Sequence, residues 1–360
     1  MDRENIYMSI TPAASRDICT TPLHLSICIV RDSRRRSTTM PLITTPKGLR
    51  YYRFSDRTKR IWQYRLENGH WARLPKPVRI SDGYDDQYTF GISHLSDPLK
   101  EPVVTFLAGG RQQSMLEFQW SVDETIASQV AVPDSIQKLA SGSISPVLLD
   151  PSPALDAPPS FWGKQWAFLT GGSDKFSPVE LERDAPAGCW EARDVGDKKL
   201  FAPTRVAACV NSSGLHLFMP GIRGGSYGLM KTSRSLDSEH YTVDVYLRVP
   251  DEGDIIIDTA LAVSSWNEEP RVFVLTSHRD NPVRHVQECV FDEEEKAMKL
   301  RQLTEFDGWV GVGIDGGTVV VAYEDRDEYG TNLKTLVWDE EDEWCDGPDI
   351  DRWEVRMGGC

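Results

Sequence analysis

Two residue pairs, each on adjoining apolar runs, offer the clearest ligand chemistry in this sequence. Arg271 opens Arg271-Val272-Phe273-Val274, and Glu288 lies in the run from Val286 to Asp292. A guanidinium and a carboxylate so placed can make charge-assisted hydrogen bonds to the hydroxyls of a bound molecule. The other reading is an ordinary cross-strand ion pair on a sheet face. Arg50 and Gln63 repeat the arrangement nearer the N-terminus, and Trp71 follows with an aromatic surface on which an apolar ligand face could pack. His278 and His285 are expected in the loop between two strands, where they could serve as a general base near Arg271 or stand as exposed loop histidines.

Other constellations carry less. Gly224-Gly225-Ser226-Tyr227-Gly228 matches G-x-S-x-G, but its flanks read strand to strand, which makes it a glycine-rich hairpin and not a nucleophile elbow. Seven histidines show no H-E-x-x-H, and seven cysteines show no C-x-x-C, so no metal site is expected. No glycine-rich phosphate loop opens a helix, so no cofactor is expected either. The sequon Asn211-Ser212-Ser213 would accept a glycan in a secreted chain.

The elements that must hold these residues repeat. A small-apolar strand, a turn, a second apolar strand, a Gly/Asp/Asn turn and a third strand recur about every fifty residues. The last unit runs Trp309–Gly313, Thr318–Tyr323 and Leu333–Asp339. The fifth runs Ala260–Trp266, Arg271–Val274 and Val286–Asp292. Earlier units start near Leu42, Gly91, Ile144 and Arg205. Six such units without a long helical period predict an all-β fold, a six-bladed β-propeller, whose closure hides sheet edges.

Residues 1–40 fit the repeat least and are expected to be an N-terminal arm, partly disordered or supplying the closing strand; 41–360 are expected to be a single six-bladed domain. Leu23 to Val30, or Trp353 to Val355, could close the ring. Ser141 to Ser160 reads as a long surface loop within blade three.

The chain has 360 residues, is 40% hydrophobic and carries a formal charge of -15. Such a surface repels phosphate backbones and anionic headgroups, so neither nucleic acid nor membrane is an expected partner. No apolar run approaches the ~20 residues that cross a bilayer. Dispersed cysteines and the lack of a convincing signal peptide suggest a cytoplasmic location.

The order Leu49-Arg50-Tyr51-Tyr52, Ile61-Trp62-Gln63-Tyr64 and Asn68-Gly69-His70-Trp71 resembles the fucose-binding six-bladed lectins of the Aleuria type, over residues from about 41 to 350. The resemblance implies pockets between blades, where an arginine, a glutamate or glutamine, and a tryptophan hold fucose. It puts forward Arg271, Glu288, Arg50, Gln63 and Trp71 as ligand-binding residues. Blades two and three keep Glu117 and Glu180, with arginine positions near Val103 and Gln165. Blade four offers His216 and Leu229, and blade six Val320 and Thr335.

With at most two of six clamps kept, the scaffold is expected to serve another ligand, a small organic molecule. In architecture it is similar to the hetero-Diels-Alderases of fungal tropolone-sesquiterpenoid pathways. That likeness implies an enzyme without cofactor, joining a tropolone quinone methide to a humulene-type sesquiterpene by holding both in near-attack geometry. The alternatives are a fucose-binding lectin with one or two live sites, whose partner is a fucosylated glycan, and a protein-interaction propeller.

Overall fold

The computed structural model describes residues 42–45, 48–55, 60–80, 89–95, 103–109, 115–121, 125–134, 136, 147–149, 164–169, 178–184, 188–195, 206–223, 226–235, 238, 240–248, 254–266, 269–278, 281–292, 297–306, 310–315, 318–327, 330–338 and 343–354. These residues form 26 strands in six antiparallel sheets. Blade 1 is β1 (Leu42–Thr45), β2 (Gly48–Ser55), β3 (Arg60–Glu67) and β4 (His70–Arg73), with β5 (Val78–Arg79) pairing farther along β3. Blade 2 is β6 (Thr89–Leu95), β7 (Val103–Gly109), β8 (Leu116–Ser121) and β9 (Ser128–Val130). Blade 3 is β10 (Val147–Leu149), β11 (Lys164–Leu169), β12 (Val179–Asp184) and β13 (Glu191–Asp194). Blade 4 is β14 (Ala207–Asn211), β15 (Gly214–Arg223), β16 (Ser226–Arg234) and β17 (Thr242–Arg248). Blade 5 is β18 (Asp254–Trp266), β19 (Glu269–His278), β20 (Asn281–Asp292) and β21 (Ala297–Phe306). Blade 6 is β22 (Val310–Asp315), β23 (Thr318–Asp327), β24 (Gly330–Trp338) and β25 (Trp344–Asp346), with β26 (Asp351–Glu354) pairing farther along β24.

The first strands of the six sheets lie beside one another in cyclic order, and β22 of blade 6 meets β1 of blade 1. The molecule is a six-bladed β-propeller. All six blades belong to one compact unit, residues 38–360. The ring closes face to face between sheets, each built from consecutive strands. Trp353, one of the expected closing residues, instead lies in β26 and pairs with Thr331 inside blade 6. Leu23 to Val30 and the N-terminal arm lie outside the described residues. Ser141 to Ser160 is more than a loop, because it contains β10, the first strand of blade 3.

A blade is covered by neighbours on both faces, so its central strands are apolar on both sides. Val272, Phe273 and Val274 have no exposed surface, and Val319 to Tyr323 form a buried run of five. Five clusters of buried side chains each join two adjacent blades, for example Tyr52 and Ile61 with Val104, Phe118 and Trp120 across blades 1 and 2. Each large apolar side chain buried this way contributes about 1.5–3 kcal/mol. Strand ends turn tightly. Asn68 (φ 50°) and Gly69 (φ 75°) both adopt the left-handed conformation, as a two-residue type I′ hairpin between β3 and β4 requires.

Candidate inter-blade ligand site

Strand register sorts the polar residues into columns. In every blade one residue of the third strand pairs with an apolar residue of the second and faces the following blade. These pairs are Gln63 with Tyr52, Glu117 with Leu107, Glu180 with Phe168, Lys231 with Phe218, Glu288 with Phe273 and Thr335 with Ala322. Two residues earlier on the second strand, on the same face, stand Arg50, Thr105, Trp166, His216, Arg271 and Val320. The register corrects three expected positions. Thr105 stands in the arginine column instead of Val103, Trp166 instead of Gln165, and Lys231 takes the carboxylate column instead of Leu229. Three residues past the carboxylate column, side chains point to the opposite face and meet the preceding blade. This is where Arg183, Arg234, Trp120 and Trp338 lie.

Between blades 5 and 6 these columns build a cluster. Arg271 Nε donates to Glu288 Oε1 at 2.6 Å, and its Nη2 contacts the same oxygen. Glu288 Oε2 accepts a 3.4 Å hydrogen bond from Trp344 Nε1 and lies 3.7 Å from Nε of Arg301, its cross-strand partner on β21. The Arg271 guanidinium lies 4.2 Å from the ring centre of Trp338 and 5.2 Å from that of Trp344, while Arg301 lies 5.1 Å from Trp338. The two indoles meet edge to face at 5.2 Å. Side-chain exposure is 5% for Glu288, 10% for Arg271 and 44% for Arg301, so the cluster opens to solvent on the Arg301 side. Among the described residues, two guanidiniums face the one carboxylate of Glu288. The arrangement can present a charged hydrogen-bonding pair to hydroxyls and an indole to an apolar ligand face.

The 2–3 and 3–4 interfaces carry the same parts in closed form. Glu117 accepts from Arg183 Nη2 at 2.6 Å, Trp190 Nε1 at 2.9 Å and Gln119 Nε2 at 2.8 Å. Arg183 also donates to Gln165 Oε1 and stacks 4.0 Å from the Trp190 ring centre. Glu180 accepts from Arg234 Nη2 at 2.7 Å and from the Tyr241 hydroxyl at 2.6 Å. Burial, reinforced by Glu180, raises the Tyr241 phenol well above its ordinary pKa and keeps it a donor. Gly214 (φ 138°) sits against the Arg234 carbonyl, where a Cβ would collide with the backbone. Both glutamates have no exposed surface, and each arginine reaches back from the following blade.

His216, in the arginine column of blade 4, has both ring nitrogens engaged. Nε2 meets Asn211 Oδ1 at 2.9 Å and Ser213 Oγ at 3.0 Å, and Nδ1 meets Ser233 Oγ at 3.0 Å. Asn211 of the sequon is 3% exposed, and its side chain also accepts from the Ser213 backbone amide, which is not the setting of a glycan acceptor.

Neither His278 nor His285 lies in a loop: His278 ends β19, and His285 sits in β20 opposite Thr276. Thr276 is five residues along β19 from Arg271, about 16 Å in an extended strand, so His285 cannot serve as a base beside that guanidinium. Trp71 is also apart from Arg50 and Gln63. It pairs with Leu66 and packs against the cluster that joins blades 1 and 6, whereas Arg50 and Gln63 share the face of Tyr52 toward blade 2.

Sequence reading passed over Trp338, Trp344 and Arg301, and over the inter-blade arginines Arg183 and Arg234. A signal existed for the latter, since Arg183 precedes Trp190 and Arg234 precedes Tyr241 by seven residues each. In blade 6 Trp344 follows Trp338 by six residues, one short of that spacing.

No family model matches this sequence, and no curated protein matches it. Among solved structures, the chain superposes on Aleuria aurantia lectin, described as a fungal lectin with a six-bladed β-propeller fold and a novel fucose recognition mode. The TM-score is 0.56 at 10% identity, covering 89% of this chain and 97% of the lectin. SapL1 lectin in complex with α-methyl fucoside matches with a TM-score of 0.52 at 12% identity, over 87% and 95% of the two chains. A Dyadobacter fermentans protein of unknown function matches with a TM-score of 0.56 at 12% identity, over 82% and 93%. At these identities the likeness establishes the fold: the six-bladed β-propeller of Aleuria-type lectins.

Proposed function

We propose that the protein is a carbohydrate-binding propeller with one live clamp, between blades 5 and 6, that takes a fucose-like sugar. The observation that carries this reading is the Arg271–Glu288 pair beside Trp338 and Trp344. It combines the guanidinium, carboxylate and indole that a deoxyhexose needs at one partly open interface. Support also comes from two of the neighbours, Aleuria aurantia lectin with its fucose recognition mode and SapL1 lectin in complex with α-methyl fucoside. A sugar bound here packs its apolar face on the Trp344 indole, and its hydroxyls accept hydrogen bonds from Arg271 and donate to Glu288. One site gives no avidity within the chain, so binding is weak and monovalent.

Titration of α-methyl fucoside, followed by tryptophan fluorescence, tests this. Binding by the wild type and its loss in Arg271→Ala, by about 2–5 kcal/mol or at least thirtyfold, is expected. No saturable change in the wild type would overturn the reading.

The tropolone–sesquiterpene cycloaddition is a second reading, favoured by a single partly open Arg–Glu–Trp cluster among the described residues, where a multivalent lectin would have several. Arg271 and Arg301, which both face Glu288, would polarise a tropolone oxygen there. Mixing the protein with both precursors and comparing adduct ratios with buffer decides it, and unchanged ratios exclude it.

A further inference from the structure

The interface between blades 1 and 2 differs from the three glutamate-bearing interfaces in a consistent direction. Its carboxylate column holds the neutral Gln63. Just before the fourth strand, where the 2–3 and 3–4 interfaces place Trp190 and Tyr241 and where Trp344 opens that strand in blade 6, it holds the small Ala127, itself 5% exposed. Both the carboxylate and the aromatic that would donate to it are therefore replaced, yet the arginine is kept.

Arg50 is 4% exposed and has no ion pair among the described residues, and its Nε and Nη1 make no hydrogen bond. Gln63, 2% exposed, has an Oε1 without a partner. Trp120, 1% exposed and on the facing strand β8, has an Nε1 without one, while the buried Tyr52 hydroxyl lies beside the Arg50 guanidinium. Burial pushes the Tyr52 phenol up to about 12, against the opposing pull of the Arg50 charge, so it stays protonated.

Buried polar groups are almost always satisfied, and an isolated buried guanidinium is among the costliest to leave without an acceptor. Three such groups at one interface, Arg50, Gln63 and Trp120, unanswered by the described residues, point to completion from outside the chain. The charge identifies the class. At the 5–6 interface Arg271 meets the protein's own carboxylate, whereas at the 1–2 interface the described residues supply a positive charge and a neutral amide in either amide orientation.

We propose that the 1–2 interface is a subsite for the carboxylate group of a ligand, held by Arg50. Gln63 and Tyr52 meet adjoining hydroxyls, and Trp120 Nε1 donates to an adjoining oxygen. This site is distinct in chemistry from the fucose-like clamp, because it requires an anion.

Thermal unfolding with sodium galacturonate, sodium acetate and neutral galactose, at matched ionic strength, provides the test. Galacturonate at about a hundredfold above its Kd is expected to raise the melting midpoint by on the order of 5 °C, and galactose to leave it unchanged. An equal rise with acetate means that the carboxylate alone is read, and a larger rise with galacturonate means that the hydroxyls are read too.

Because Arg50→Ala removes a buried side chain and risks the fold, the decisive variant is Gln63→Glu, which places a carboxylate beside Arg50. It is expected to melt higher than the wild type without ligand, to lose the carboxylate-dependent rise, and to keep α-methyl fucoside binding at blades 5 and 6. Absence of any rise with either carboxylate, or a rise that survives in Gln63→Glu, would overturn the proposal.

Discussion

The 2–3 and 5–6 interfaces are built from the same three kinds of group, and they differ in which blade delivers the guanidinium. Between blades 2 and 3, Glu117 belongs to one blade, and Arg183 and Trp190 to the next, so the ion pair crosses the interface. Between blades 5 and 6, Arg271 and Glu288 share a blade, and the position equivalent to Arg183 is the indole of Trp338. A guanidinium reaching across ties two sheets together and fills the space between them. One lying alongside its carboxylate leaves the facing blade free to present an aromatic wall. The same side chains thus form structural cement in one place and a candidate ligand floor in the other.

The widest separation between the two is expected on removing the carboxylate. Glu117→Ala strands Arg183, whose side chain is 2% exposed, and should cost about 3–5 kcal/mol in denaturant titrations. Glu288→Ala should cost clearly less, because Arg301 is already solvated and Arg271 can reach the same open side. Equal losses would break the distinction.

Trimming the indole donor comes next. Trp190→Phe leaves Glu117 short of a 2.9 Å hydrogen bond at a site without solvent and should cost about 1–3 kcal/mol of stability. Trp344→Phe loses only a 3.4 Å contact and should change stability by less than about 1 kcal/mol. Trp338→Arg sharpens the comparison further by converting the open interface to the closed pattern. Fucoside affinity should then fall at least tenfold, about 1.4 kcal/mol, although Arg271 and Glu288 are untouched.

The smallest effect concerns acid stability at the 3–4 interface. Burial pushes the half-buried Glu182 carboxyl up, but Lys164, Trp166 and Arg234 together outweigh it and hold it below its ordinary value of 4.5. A carboxyl depressed in the folded state stabilises the protein above its unfolded pKa, and that contribution is lost as pH falls through the folded pKa. Glu182→Gln should therefore be destabilised by less than about 1 kcal/mol near neutral pH, and the difference should shrink as pH falls below the ordinary value of 4.5 and vanish below the depressed folded value, in unfolding curves taken across the range.

The sequence alone determined the repeat and hence the architecture. Six restarts of short apolar strands such as Val272-Phe273-Val274 and Val319-Val320-Val321 require sheets buried on both faces, and a propeller satisfies six of them at once. It also marked Arg271 and Glu288, because both positions fall within strands whose neighbours are unambiguous. It could not align the columns of blades 2 to 4, where differing loops hide the register, and so it misplaced Thr105, Trp166 and Lys231. Trp71 was assigned to the wrong interface for a related reason: a strand's two faces serve different neighbours, and parity is readable only once pairing is known.

Above all, the partners in each cluster come from different blades, fifty to seventy residues apart. Glu117 finds Arg183, Glu180 finds Arg234 and Glu288 finds Trp344 only because the ring brings successive sheets face to face. Local spacing fixes which strand a side chain sits on. Tertiary packing decides whether a carboxylate on that strand meets a guanidinium that seals it or an indole beside an opening.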